Sequence, residues 1–142
     1  MLQIRVAVQG NKTLQSSFWW TAVVLWMGAI FAVSSIPSVA TPFEPFFDFT
    51  FKKLAHMAEY ATLTVFLFNA LLVHFSKKPP ALLTAALIAT LYAFSDEWHQ
   101  TFVPGREGTL RDVGIDALGV LAASFAVAKR KPDISPRRRR GR

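Results

Sequence analysis

Four long apolar stretches constrain the fold of this chain more than any other feature. They occupy residues 18–36, 54–75, 81–95 and 113–128. A membrane-spanning helix needs about 20 mostly apolar residues, within a range of roughly 17–25, so the last two stretches are long enough only if their polar ends belong to the helices. Because four such stretches leave little polar surface to meet water, the sequence predicts an all-α fold, a membrane-spanning bundle of four helices. A soluble bundle with buried core helices is the disfavoured alternative.

The composition agrees with a small integral membrane protein. Hydrophobic residues make up 52% of the chain and the mean hydropathy is +0.32, which is high for a soluble protein. The length leaves room for one domain. We expect a cytoplasmic N-terminal segment over residues 1–17, the membrane domain over 18–128, and a basic, disordered cytoplasmic tail over 129–142. The chain has no cysteine, which excludes disulfides and thiolate chemistry.

The positive charge lies mostly at the C-terminus. Eight lysine and arginine residues follow residue 128 against the single acid Asp133, and this excess equals the net charge of +7. Loops on the cytoplasmic side of a membrane are rich in Lys and Arg, and Arg5, Lys12 and Lys77 fall on the tail's side if the chain crosses four times. The sequence therefore predicts a multi-pass protein with both termini cytoplasmic. The basic tail fits anionic lipid headgroups better than nucleic acid.

The N-terminus also resembles a secretory signal peptide. Ser38, Val39 and Ala40 follow the first apolar stretch as a small-residue cleavage site would. That stretch is long for a signal peptide, and its removal would leave three helices and place the basic tail outside. An uncleaved anchor is the favoured interpretation.

Most of the unusual polar residues lie at one end of three predicted helices. With four crossings, residues 37–51 and 96–112 face outwards, the second and fourth helices begin at that face, and the third ends there. The topology alone therefore brings these side chains together. They are Lys53, His56, Glu59, Tyr60, Asp96, Glu97, His99, Gln100, Arg106, Arg111, Asp112 and Asp116.

Helical spacing predicts that the acids point into the bundle. On the third helix a small-residue stripe continues into polar residues on the same face: Ala85, Ala89, Ala93, Asp96, Glu97 and Gln100. The fourth helix has an equivalent face: Asp112, Asp116, Gly119, Ala123 and Ala126. Small residues let helix backbones approach closely, so we expect the two faces to pack together. On the second helix, His56, Glu59, Tyr60 and Leu63 share one face.

A buried ionisable group in a membrane is by default the mark of a functional site. Two alternatives stay open for these residues, a structural polar plug and interfacial side chains solvated by headgroups. The second alternative suits Lys52, Glu107 and Arg111. The five phenylalanines before the second helix predict an interfacial aromatic belt, or less favourably a lid over the polar residues: Phe43, Phe46, Phe47, Phe49 and Phe51.

Residues 103–108 read Val-Pro-Gly-Arg-Glu-Gly, which is typical of a tight turn. Arg106 at its tip has two interpretations. It is a counter-ion for the nearby carboxylates, or it presents its planar guanidinium to a phosphate or carboxylate of a ligand.

Three segments resemble the VanZ-like family of small bacterial membrane proteins, named for a member linked to teicoplanin resistance. They are residues 53–63, with Lys53, His56, Glu59 and Tyr60; 95–108, reading Ser-Asp-Glu-Trp-His-Gln-x-Phe-Val-Pro-Gly-Arg-x-Gly; and 112–119, reading Asp-Val-x-x-Asp-x-x-Gly. The resemblance covers about residues 18–128. It implies a multi-pass protein of the bacterial cytoplasmic membrane that acts at the cell envelope. It supplies neither a reaction nor a resistance phenotype. This chain has Asp116 where many members carry asparagine.

Three functions follow as hypotheses. The first is an outward-facing pocket that binds an anionic lipid headgroup, a lipid-linked cell-wall precursor or a peptide carboxylate, and so lowers sensitivity to a glycopeptide. Arg106 and Lys53 would hold the anion, and Asp96, Glu97 and Asp112 would hold those cations. The remaining ligand-binding candidates are Tyr60, His99, Gln100 and Asp116.

The second hypothesis is a membrane-embedded hydrolase or transferase acting on a lipid-linked phosphate or amide. Its catalytic candidates are His56, Glu59, Asp96 and Glu97, with His56 as a general base oriented by Glu59. A divalent metal would have ligands in His56, Glu59, Asp96, His99, Asp112 and Asp116. The third hypothesis, an oligomeric transporter or channel, is weakest because no broken helix or inverted repeat is evident.

Overall fold

The structure of the chain, a computed structural model, describes residues 2–37, 45–75 and 77–130, with side chains from residue 13 onwards and from residue 50 in the second segment. These residues form four α-helices and contain no β-strand. The predicted all-α fold of four helices is confirmed. The helices are α1 (Leu2–Ser34), α2 (Pro45–Leu72), α3 (Lys78–Gln100) and α4 (Leu110–Lys129).

The helices extend beyond the apolar stretches that predicted them. α1 begins at Leu2 and α2 at Pro45, because no proline interrupts residues 2–34 and a proline is tolerated in the first turn of a helix. α3 continues through the polar residues to Gln100. The expected cleavage site at residues 38–40, the tail from residue 131, and the side chains of Phe43, Phe46, Phe47 and Phe49 lie outside the described residues. Of the expected aromatic belt, the side chain of Phe51 is described, and it is exposed.

Small residues form the buried face of α3 and part of that of α4, whereas α2 buries large side chains such as Tyr60, Leu63 and Leu67. α4 packs against α2 and α3, whereas α1 packs against α2 and touches α3. The stripe on α3 is completely buried and contains Ala81, Ala85, Ala89 and Ala93. Gly119 on α4 lies so close to α2 that a Cβ atom there would collide with the backbone carbonyl of Met57. The small face of α4 therefore meets α2 at Gly119, in addition to the contact of α4 with α3.

Large apolar side chains cover the outside of the bundle. α3 alone exposes four of them opposite its alanine stripe: Leu83, Leu87, Leu91 and Phe94. α4 exposes Leu118, Leu121 and Phe125, and α1 exposes Phe18, Val24, Leu25 and Phe31. Within the described segments, only Thr13–Ser34 of α1 meets a length and composition test for a membrane-crossing helix, so four crossings are not shown. The other three helices carry charged residues near their ends, which shortens their uninterrupted apolar length.

Candidate functional site

Four acids are buried where α3 ends and α4 begins, beside the second to fourth turns of α2; we call this region the polar end. Asp116 is 1% exposed, Asp96 2%, Glu97 4% and Asp112 6%. On α3 the acids continue the buried alanine face by helical periodicity. On α4 the cap Thr109 begins the helix and accepts the backbone N–H of Asp112 on its hydroxyl at 3.2 Å. Local helix geometry therefore directs all four acids inwards.

Two contacts connect α2 to α4 at the polar end. Lys53 Nζ lies 2.7 Å from Asp112 Oδ2, and His56 Nδ1 lies 3.7 Å from Asp116 Oδ1. Arg111 Nε approaches the other oxygen of Asp112 at 3.8 Å from a more exposed position. Asp112 thus has two cationic neighbours, whereas Asp116 faces the imidazole of His56.

Glu97 of α3 joins His56 and Asp116 to form a compact group that we call the His56–Glu97–Asp116 triad. One potential ligand atom from each residue lies within 4.8 Å of the other two. Glu97 Oε2 accepts the backbone N–H of Thr109 at 3.0 Å, which fixes the carboxylate against the start of α4. Asp116 Oδ2 is buried and has no hydrogen-bond partner among the described residues. One nitrogen and two oxygen donors at this spacing are a ligand set for a divalent cation.

Asp96 connects α3 to α1 on the other side of the polar end. Its Oδ2 accepts hydrogen bonds from the hydroxyl of Ser34 at 2.9 Å and from the amide of Gln100 at 3.0 Å. Its Oδ1 and the hydroxyl of Tyr60 are both buried without a hydrogen-bond partner within the described part of the chain. The hydroxyl of Tyr60 is a donor and the carboxylate of Asp96 an acceptor, so each offers the other a potential partner in this part of the interior.

Arg106 holds the C-terminal end of α1. Its Nη2 donates to the carbonyl of Val33 at 2.8 Å, its Nε donates to the carbonyl of Ile36 at 2.9 Å, and its Nη1 donates to the side-chain oxygen of Gln100 at 3.4 Å. The sequence suggested that Arg106 is a counter-ion for acids or presents its guanidinium to a ligand. Neither interpretation anticipated these partners. Val33 lies in the last turn of α1 and Ile36 just beyond it, where backbone carbonyls lack the partners that the interior of a helix supplies.

The turn before α4 needs both of its glycines, each for a different reason. Gly105 has a φ of 74°, a left-handed conformation that favours glycine. Gly108 lies against the end of α3, where a Cβ atom would collide with the carbonyl of Glu97. Together they bring Arg106 back towards α1 and Thr109 towards Glu97.

A cleft of about 290 Å³ opens beside Asp96 and is lined largely by aromatic side chains. His99 lies in its wall, stacks on Phe31 of α1 with ring centroids 4.4 Å apart, and contacts the hydroxyl of Ser35 at 3.0 Å. Trp98 and Phe102 complete the rim and are largely exposed. The cleft offers a lipid or another amphipathic group aromatic surface next to a carboxylate.

The structure places the sequence-predicted residues in two groups. Lys53, His56, Glu97, Asp112 and Asp116 lie where α2, α3 and α4 meet. The group at the α1–α3 contact contains Asp96, His99, Gln100 and Arg106.

Glu59 and Tyr60 are the two remaining candidates. Glu59 was expected to orient His56, but the carboxylate paired with that imidazole belongs to Asp116. The backbone carbonyl of Glu59 accepts a hydrogen bond from Trp26 of α1 at 3.0 Å. The side chain of Tyr60 is fully buried.

Sequence reasoning missed two residues that support the site. Thr109 caps α4 and donates its backbone N–H to Glu97. Its position three residues before Asp112 is a recognisable signal for the start of a helix, so this cap could have been predicted from the sequence. Ser34 donates to Asp96, and the sequence gives no comparable signal, because the pairing depends on how α1 rotates against α3.

The comparison with protein families settles which family this arrangement belongs to. The model of the VanZ/LLP1 family matches residues 11–129, which is most of the chain. The chain belongs to the VanZ-like family. The match includes every residue of the polar end, and membership makes the chain a membrane-associated, VanZ-like protein of the cell envelope. No curated protein and no solved structure matches the chain.

Proposed function

We propose that this VanZ-like protein crosses the membrane four times, with both termini cytoplasmic and the polar end facing outwards. The distribution of side chains supports this, because buried acids and exposed leucines reverse the arrangement of a water-soluble bundle. Each of α1, α3 and α4 exposes a row of large apolar side chains. Apolar surface of this extent is rare on soluble monomers and is suited to contact with the hydrocarbon chains of a bilayer. The basic residues after α4 then mark the cytoplasmic side.

Reporter fusions test this topology. A green fluorescent protein fused after Arg142 should fluoresce and alkaline phosphatase fused there should be inactive, because both would remain in the cytoplasm. The same reporters fused after residue 107, in the turn between α3 and α4, should give the opposite result. Active phosphatase at the C-terminus would contradict the proposal.

The function proposed for the polar end is to bind an anionic group, either the headgroup of a lipid or the phosphate of a lipid-linked cell-wall precursor. The observation that carries this proposal is the set of cationic side chains around the buried acids. Lys53 is held at 2.7 Å by Asp112, Arg106 is held by the end of α1, and Arg111 extends from the start of α4. The N-terminus of α4 places the positive end of its helix dipole at the same site. The adjacent aromatic cleft would accommodate an apolar chain or a ring.

Lipid identification on the purified protein tests this function without assuming a reaction. We expect the wild-type protein to retain an anionic lipid or lipid-linked phosphate after detergent exchange, as measured by native mass spectrometry. Lys53→Gln should lower its occupancy several-fold, because the variant removes a cation held at the polar end.

Lys78→Gln is the matched control, because Lys78 lies at the opposite end of the bundle and contacts the carbonyl of Arg130. Equal retention by both variants would locate binding elsewhere. A wild-type protein that retains no anionic lipid above the level of the bulk membrane would contradict the function itself.

A link to glycopeptide sensitivity follows if the bound group is a cell-wall precursor. Sequestering or reorienting such a precursor would change how much of it a drug such as teicoplanin can reach. Under this proposal, a host expressing wild-type protein should tolerate more teicoplanin than one expressing Lys53→Gln at the same level. Equal inhibitory concentrations would separate the polar end from any resistance phenotype.

A second candidate function is hydrolysis or group transfer at a lipid-linked phosphate or amide. The observation that favours it is the imidazole of His56 beside the buried carboxylate of Asp116. A carboxylate next to histidine orients the ring and stabilises its protonated form during general base catalysis. Release of inorganic phosphate from a lipid pyrophosphate by wild type, and not by His56→Asn, would support it.

A further inference from the structure

We infer that the His56–Glu97–Asp116 triad is a binding site for a divalent transition metal cation such as Zn²⁺ or Mn²⁺. This inference deepens the proposed function and rests on it for the identity of the anionic group, which the metal would help to bind. The three residues come from α2, α3 and α4, so the site exists only in the folded bundle.

The geometry of the triad suits a metal of this class. One potential ligand atom from each residue lies within 4.8 Å of the others. Ligand atoms on opposite sides of a cation bound at roughly 2.0–2.4 Å lie about 4–4.8 Å apart, so small side-chain adjustments would close the site. An imidazole with two carboxylates leaves coordination positions open for water or for a phosphate oxygen, as in metal sites that bind substrate.

Asp116 supplies a second and independent indication. It is 1% exposed, yet its Oδ2 has no hydrogen-bond partner within the described residues. A buried carboxylate oxygen without a partner is costly, and native proteins leave few of them unexplained. A cation at the triad would supply the missing partner.

The charge balance points the same way. The triad contains two carboxylates and one imidazole, and the nearby cation Lys53 is already engaged with Asp112. Burying unbalanced charges of one sign in a bundle with an apolar exterior is unfavourable. A divalent cation neutralises both carboxylates and provides a positive centre for an incoming anion.

Metal binding by the full-length protein in detergent tests the inference. The protein is stripped with a chelator and titrated with Zn²⁺ and Mn²⁺, with bound metal measured by elemental analysis. We expect binding of about one ion per chain, weakened at least 10–100-fold in Asp116→Asn and Glu97→Gln, since even loss of a group that only supports a ligand costs that much. Glu107→Gln, at an exposed position of the turn before α4, is the matched control and should bind like wild type.

A spectroscopic measurement on the wild type keeps the test decisive if a variant fails to fold. With Cu²⁺ as the probe, electron paramagnetic resonance should show coupling to the nitrogen of one imidazole. Absence of nitrogen coupling would overturn the inference, as would metal binding that survives in the Glu97→Gln, Asp116→Asn double variant.

The metal titration contains no added lipid, so the inference and the proposed function can fail separately. Retention of an anionic lipid by a protein that binds no metal would leave the function standing and remove the metal site. Specific metal binding by a protein that retains no anionic lipid would leave the metal site standing and remove the proposed function.

Discussion

Replacing Gly119 with alanine is expected to lower the free energy of unfolding by about 3 kcal/mol, at the upper end of what overpacking a core costs. The added methyl group would collide with the backbone carbonyl of Met57 on α2. A flexible side chain could rotate away from such a collision, but a backbone carbonyl in the middle of a helix cannot. α2 and α4 would therefore have to separate, which disturbs the positions of His56 and Asp116. Denaturant titration of the protein in detergent, followed by circular dichroism, measures the change.

The same helix supplies a matched control for Gly119. Apart from its chain neighbours and the backbone of its own helix, Gly114 has no atom of the described residues within 4 Å of the position that a Cβ would occupy. Gly114→Ala should therefore be neutral or should stabilise the protein by up to about 1 kcal/mol, because alanine is the better helix former. Equal stability of the two variants would mean that α2 and α4 do not approach closely at Gly119.

The inward direction of the acids on α3 was predictable because it is a local property. A helix advances about 100° per residue, so a buried stripe at one point fixes which side chains are buried a turn later. Ala85, Ala89 and Ala93 are fully buried, and Asp96 and Glu97 continue that face.

The same reasoning loses accuracy over longer distances. On α4, Ala126 was expected on the face of Asp116 but is exposed, whereas Val127 is buried. Successive steps of three and four residues had moved Ala126 about 80° away from Asp116, whereas Val127 lies about 20° away.

The partners of the acids were less predictable because they depend on contacts between helices. Spacing within α2 suggested that Glu59 accompanies His56, since residues three apart share a helix face. The carboxylates near His56 are instead Asp116 and Glu97, which come from α4 and α3. Which carboxylates meet His56 depends on how far each helix is shifted along its axis and how it is rotated about that axis. The periodicity of a single segment encodes neither quantity.

Arg106 shows the same limit. The sequence placed it at a turn near several acids, so electrostatics suggested an ion pair. In the structure its guanidinium donates hydrogen bonds to the backbone carbonyls of Val33 and Ile36. Backbone acceptors carry no sequence signal, because every residue has one. Only the fold shows that the end of α1 lies within reach.

Replacing Arg106 with lysine is expected to destabilise the protein almost as much as replacing it with alanine, by about 1–3 kcal/mol. Lysine keeps the charge but offers one ammonium group in place of a planar fork. It cannot reach the carbonyls of Val33 and Ile36 and the side chain of Gln100 at once. The free energy of unfolding measures the loss of stability. Because the chain has no cysteine, the Ser35→Cys, His99→Cys pair, joined by a short bifunctional thiol reagent that replaces the reach of the histidine side chain, can report in addition whether α1 stays docked on α3.

Arg111→Ala is the control for Arg106, because Arg111 belongs to the same segment but its side chain is 69% exposed and its contact with Asp112 is 3.8 Å. Exposed ion pairs contribute only about 0–1 kcal/mol, so the control should remain close to wild type and form the cysteine cross-link normally. Arg106→Lys should form the cross-link slowly. If Arg106 acted through its charge alone, lysine would restore both stability and cross-linking, and retention of anionic lipid would be equal in Arg106→Lys and wild type. If Arg106 instead acts through the planar shape of its guanidinium, Arg106→Lys should retain less anionic lipid than wild type. The reason is that α1 forms one wall of the aromatic cleft through Phe31.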